Sequence, residues 1–80
     1  MDIHFTKRQG QYLAFIYTYI KINRKSPAEA DIQRYFKVSP PTVHQMVLKL
    51  EELGLIARQP RTARSIRVLV PSDKIPNLVD

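Results

Sequence analysis

Apolar side chains fall first at helical and then at strand spacing along this chain. Tyr12, Leu13, Ile16, Tyr19 and Ile20 form one stripe, widened by Phe15, and predict a helix from about Lys7 to Asn23. Thr6 and Gln9 stand at the spacing of a capping box at its start. Gly10 inside such a helix costs roughly 1 kcal/mol relative to alanine, so it marks an expected close packing contact. Asn23-Arg24-Lys25 is a polar loop. Ser26-Pro27-Ala28-Glu29 repeats the start signal, with Ser as N-cap, Pro at the first helical position and Glu at the third. It predicts a short second helix from about Pro27 to Phe36, with Ile32, Tyr35 and Phe36 inward.

Lys37-Val38 is a tight connection, and Ser39-Pro40-Pro41-Thr42 opens a third helix to about Leu53. Two prolines are tolerated there because first-turn N–H groups have no helical partner to lose. Val43, Met46, Val47, Leu50 and Leu53 form its expected inward stripe. Gly54 follows, where a helix end favours positive φ. The period then changes. Leu55-Ile56-Ala57-Arg58 and Ser65-Ile66-Arg67-Val68-Leu69-Val70 are expected strands joined by the turn of residues 59–64. Beyond Pro71 the chain is polar and proline-punctuated. A loose tail is expected there, with Ile75 and Leu78 docking on the body. The domain division is 1–70 for the folded unit and 71–80 for the tail.

The predicted fold class is therefore mainly α with a small β-hairpin: three helices and a two-stranded wing, a winged helix-turn-helix. In that arrangement the helix after the tight turn enters the major groove of DNA. With Val43, Met46, Val47 and Leu50 inward, the opposite face of the third helix carries Pro41, Thr42, His44, Gln45, Lys49 and Glu52. Glutamine can bond adenine bidentately, threonine can bond a base or touch a thymine methyl, and lysine reaches guanine or phosphate. Ser39 and the helix N-terminus suit a phosphate.

Charge sharpens this picture. The 80 residues hold 13 Lys and Arg against 7 Asp and Glu, a net charge of +6. Residues 57–70 contain Arg58, Arg61, Arg64 and Arg67 and no acid. A clustered basic hairpin beside an exposed polar helix is the electrostatic footprint of a polyanion binder. Lys37, Arg58, Arg61, Thr62, Arg64 and Arg67 are the expected backbone contacts, with Arg61 and Arg64 at the wing tip. Protonation of His44 would add charge at the groove, so affinity is expected to rise on mild acidification. An 80-residue domain makes few base contacts, and a homodimer on paired half-sites is the expected route to specificity.

The motifs also resemble the N-terminal DNA-binding domain of LexA-type repressors over residues 5–70. The matching features are Phe5-Thr6-Lys7-Arg8-Gln9, Ser26-Pro27-Ala28-Glu29-Ala30-Asp31-Ile32, Ser39-Pro40, Leu50 with Gly54-Leu55-Ile56, and Arg64-Ser65-Ile66-Arg67-Val68-Leu69. The resemblance implies a winged helix whose base-reading positions fall on Ser39, Pro41, Thr42, His44 and Gln45. Where that family typically carries Asn and acidic residues this chain has Pro41, His44 and Gln45, which implies a different target sequence. LexA-type repressors continue into a self-cleaving peptidase domain. Here neither Gly10 nor Gly54 follows Ala, so no Ala-Gly cleavage site is present. The expectation is a binder without the peptidase domain, either stand-alone or a fragment of a longer protein.

Other chemistries have weaker support. The chain has no cysteine and only two histidines, His4 and His44, so no metal ion or cofactor is expected. Neither Ser39 nor Ser65 has the adjacent base and orienting group a nucleophile needs, and no enzyme is expected. No apolar run approaches the ~20 residues that span a bilayer. Met1-Asp2-Ile3-His4-Phe5 lacks the layout of a signal peptide, which points to the cytoplasm, at the nucleoid. The partner class that competes with double-stranded DNA is protein: winged helices also serve as interaction modules, and Leu48 lies near the outward face of the third helix. Structured RNA is disfavoured because the deep groove of its A-form helix excludes a helix.

Overall fold

A computed structural model describes residues 3–79. Met1, Asp2 and Asp80, counted above in the N-terminal segment and the tail, lie outside the described residues. Helix α1 spans Lys7–Asn23. Its capping box is closed: Thr6 Oγ1 accepts from the Gln9 N–H at 3.0 Å, and Gln9 Oε1 accepts from the Thr6 N–H at 2.8 Å. The helix ends on Arg24 in the left-handed region, φ 60°, whose N–H donates to the Ile20 carbonyl. Helix α3, Pro40–Glu52, begins on Ser39 as N-cap with both prolines in the first turn. Gly54 takes φ 76° at its end, where a side chain would be strained.

Helix α2 differs from expectation. It runs Glu29–Phe36 and is capped at Ala28, not at Ser26. Ala28 is extended, and its N–H donates to the Asp31 carboxylate at 2.8 Å. Asp31 therefore supplies the cap contact expected of Glu29, and Ser26 and Pro27 stay outside the helix. Both are buried. Lys37, at φ 58°, closes α2 and begins the short turn into α3.

The strands are shorter than expected. Strand β1 is Ile56–Ala57 and β2 is Arg67–Val68, antiparallel, with Ile56 opposite Val68 and Ala57 opposite Arg67. The Ser65 side chain interrupts the ladder. Its Oγ accepts from the Gln59 N–H at 2.9 Å and faces the carbonyls of Thr62 at 2.9 Å and Gln59 at 3.1 Å. A hydroxyl thus closes the base of the turn where backbone pairing would have continued. Arg61 and Arg64 both take positive φ, 62° and 57°, which turns the chain within the wing.

The core lies where the three helices meet the hairpin. Tyr12, Leu13 and Ile16 from α1, Ile32 from α2, and Val43, Val47 and Leu50 from α3 are fully buried against Leu55, Ile56, Ile66 and Val70. Tyr12 stacks on Phe36 with ring centroids 4.3 Å apart, and Phe15 packs on Tyr35 and Phe36. Two expected inward residues are displaced. Leu53 is 44% exposed because α3 has ended and the chain is turning, and Tyr35 lies at the rim of the aromatic cluster. Residues 71–79 fold back along α1. They form a 3-10 turn at Ser72–Lys74, pack Ile75 on the core, and exchange hydrogen bonds between the Gln11 amide and the backbone of Asn77 and Val79 at 2.9 and 2.8 Å. Gly10 sits beneath this segment. A Cβ there would stand 2.9 Å from Phe5 Cε1 and 3.0 Å from Pro76 Cγ, the close contact expected of it. Among the described residues no helix is long and apolar enough to cross a membrane.

Candidate nucleic-acid interface

The helix-turn-helix unit is α2, the turn at residues 37–39, and α3. Burial of Val43, Val47 and Leu50 fixes the rotation of α3 about its axis. Pro41, Thr42, His44, Gln45 and Lys49 therefore stand exposed, with Ser39 at the head of the helix. The hydroxyls of Ser39 and Thr42 bond to each other at 2.9 Å. Lys49 lies 3.7 Å from Glu52, an exposed pair that leaves the ammonium largely hydrated. Gln45 makes no hydrogen bond among the described residues, so both ends of its amide are open.

The six wing and turn residues divide into two groups. Lys37, Arg61 and Arg67 are exposed and form no ion pair among the described residues. Thr62, also exposed, donates weakly to the Pro60 carbonyl at 3.4 Å. Arg58 and Arg64 are instead engaged within the fold. Arg58 Nε donates to Glu51 Oε1 at 3.1 Å, and its side chain is only 17% exposed. Arg64 Nη1 reaches the Tyr19 hydroxyl and the Ser26 carbonyl, each at 3.2 Å, and the Asp31 carboxylate at 3.1 Å. One guanidinium thus joins the wing to α1, to α2 and to the segment between them. All three contacts converge on the one Nη1 nitrogen.

The electrostatics follow that geometry. The Ala28 N–H holds the Asp31 carboxyl below the ordinary carboxylate value. Partial burial opposes this, and the nearby Arg64 and Arg34 reinforce it. Tyr19 and Asp31 in turn hold the Arg64 guanidinium more firmly charged. Sequence reading singled out Arg64 but not its partners. Asp31, Tyr19 and Ser26 lie 33 to 45 positions away, and no local pattern announces such a pairing.

Between the wing and the starts of α2 and α3 lies an open cleft of about 440 Å³, lined by Pro27, Glu29, His44, Arg61, Thr62 and Ala63 among others. His44 of α3 and Arg61 of the wing tip share this concavity. Both carboxylate oxygens of Glu29 stand 3.2 Å from His44 Nδ1. Glu29 is a second participant that sequence reading placed only in a helix start.

A tight-turn helix pair, a polar exposed second helix and a basic hairpin define a winged helix-turn-helix DNA-binding domain. The chain belongs to the family described as iron dependent repressor, N-terminal DNA binding domain, whose sequence model matches residues 4–63. It is also similar to the LexA repressor of Thermosipho africanus, 44% identical over 64 residues, covering 80% of this chain and 32% of that protein. The LexA repressor of Thermosipho melanesiensis is 39% identical over 70 residues, covering 88% of this chain and 35% of that protein. That of Petrotoga mobilis is 37% identical over 71 residues, covering 88% and 34%. The chain spans about a third of the length of these curated relatives. Among the described residues no group of three or more His, Cys, Asp or Glu side chains is placed to hold a metal ion.

Proposed function

We propose that this domain is the DNA-reading part of a LexA-type transcriptional regulator, acting as a repressor by occupying a promoter. Helix α3 enters the major groove. Ser39, Pro41 and Thr42 approach at its N-terminus, His44 and Gln45 meet base edges, and Lys49 lies close by. Lys37, Arg61, Thr62 and Arg67 hold the phosphate backbone. Arg58 and Arg64, expected from sequence to touch phosphate, act instead by fixing the wing's position. The supporting observation is the shared cleft, in which His44 of α3 and Arg61 and Thr62 of the wing face one concavity. A homodimer on paired half-sites supplies the remaining specificity.

The test is fluorescence anisotropy of a labelled duplex titrated at several salt concentrations. Three free cations predict a log affinity that falls with log salt at a slope of roughly −3. Binding that is absent even at low salt overturns the proposal and leaves a protein partner as the reading to pursue.

A further inference from the structure

The imidazole of His44 is held from another helix. Glu29, fifteen residues earlier and at the first position of α2, directs both carboxylate oxygens at Nδ1. An ionised carboxylate only accepts hydrogen bonds, so in this contact Nδ1 carries the hydrogen. A neutral imidazole has one ring hydrogen. Its Nε2, which makes no hydrogen bond among the described residues, is then left as a bare acceptor.

We infer that Glu29 sets the base choice of His44: by keeping the proton on Nδ1 it presents Nε2 as an acceptor, matched to an amino-bearing base, cytosine or adenine. This rests on the base-reading role of His44 proposed above. In the major groove the exocyclic donors are the amino groups of cytosine and adenine. Guanine offers only acceptors there, and thymine an acceptor and a methyl group. An Nε2 lone pair facing guanine O6 or thymine O4 is repulsive. Glu29 is thus a positioning residue, and its effect on recognition passes through His44.

Two further features favour this role over a purely structural one. The pair is exposed, at 53% and 38% for the two side chains, and such pairs add little to stability. An acid in the first turn of a helix is favourable in itself, but that benefit needs no contact with α3. Glu29 also lines a cleft whose wing side carries Arg58, Arg61 and Arg64. A carboxylate there opposes phosphate binding and weakens general affinity. Its removal therefore has opposite effects on affinity and on selectivity.

The experiment uses two readouts on the wild type, Glu29→Ala, Glu29→Gln and His44→Ala. Long-range proton–nitrogen spectra of the imidazole, recorded at a pH where they show a single ring proton, report the tautomer. Selection from randomised duplexes at the same pH reports the bases chosen. The wild type is expected to carry its ring proton on Nδ1 and to enrich cytosine or adenine at one position, which His44→Ala relaxes. Glu29→Ala should lose the Nδ1 tautomer and relax that same position by about two- to tenfold, while binding random DNA at least as tightly. Glu29→Gln keeps an acceptor and should retain the choice. A wild-type ring protonated on Nε2 overturns the inference. So does a Glu29→Ala selection identical to wild type at a position that His44→Ala relaxes. If His44→Ala changes no position, the base-reading role of His44 falls and the inference falls with it.

Discussion

Tyr12 is fully buried, and its hydroxyl has no hydrogen-bond partner among the described residues. An orphaned buried hydroxyl costs its desolvation without return, while the ring stacks on Phe36 with or without it. Tyr12→Phe should therefore raise stability by about 1 kcal/mol, measured by chemical denaturation. A loss instead would reveal a buried water on the hydroxyl. Gly10 presents the opposite case. Alanine there gains roughly 1 kcal/mol in helix propensity, yet its Cβ would meet Phe5 and Pro76 at about 3 Å. Phe5 packs against the core while Pro76 is an exposed ring, and overpacking costs typically ~1–3 kcal/mol. Gly10→Ala should lower stability by about 1 kcal/mol net, read as a lower denaturation midpoint. A midpoint above wild type would show that the C-terminal segment yields without cost.

At the scale of the element, the proposed function gives α3 and the wing different work on DNA. An amide on a base edge discriminates between sequences, whereas a guanidinium on phosphate does not. Gln45→Ala should cost ~1–3 kcal/mol on the preferred site and leave random DNA unchanged. Arg61→Ala should weaken all duplexes about equally and reduce the salt slope by about 1. Anisotropy titrations on selected and random duplexes separate the two effects. Equal losses for Gln45→Ala on both would remove it from the base-reading set. The elements themselves are held by their ends: Thr6 and Ser39 hydroxyls at two helix starts, Asp31 at the third, and Gly54 where α3 stops.

Across the whole molecule, two arginines of the wing, Arg58 and Arg64, tie it to the helices. Its two-residue strands supply little pairing, and Arg64 fastens it to Tyr19, Ser26 and Asp31. Asp31 serves twice, as the acceptor for the Ala28 N–H and as the counter-charge to Arg64. Folding lowers its pKa below the ordinary 3.8. Its contribution is therefore fully present above that value and disappears as pH falls through the folded-state value. Asp31→Asn should cost about 1–2 kcal/mol at neutral pH, with a smaller deficit below about pH 4. Hydrogen exchange should show faster exchange in residues 58–66 of this variant. A deficit that persists unchanged into acid would mean that the Asp31 charge is not what stabilises the wing.

Much of this protein follows from its sequence because the determinants are local. Helical spacing from Tyr12 to Ile20 and from Val43 to Leu50, the Thr6–Gln9 box, the Ser39-Pro40-Pro41 start and Gly54 each act within one or two turns of chain. They fix two helices almost to the residue, and with them the rotation of α3 that exposes Thr42, His44 and Gln45. Local pattern misplaced the start of α2: it read Ser26 as the cap, whereas Ser26 and Pro27 are buried outside the helix and Asp31 accepts from the Ala28 N–H. It overextended the strands because the Ser65 hydroxyl competes with the ladder. The allocation of the arginines belonged to tertiary structure alone. Arg61 and Arg64 look alike in sequence, but only Arg64 lies within reach of Asp31, Tyr19 and the Ser26 carbonyl, and only the folding of α1 and α2 brings those groups together. The same holds for Glu29 and His44, whose pairing depends on how two helices pack.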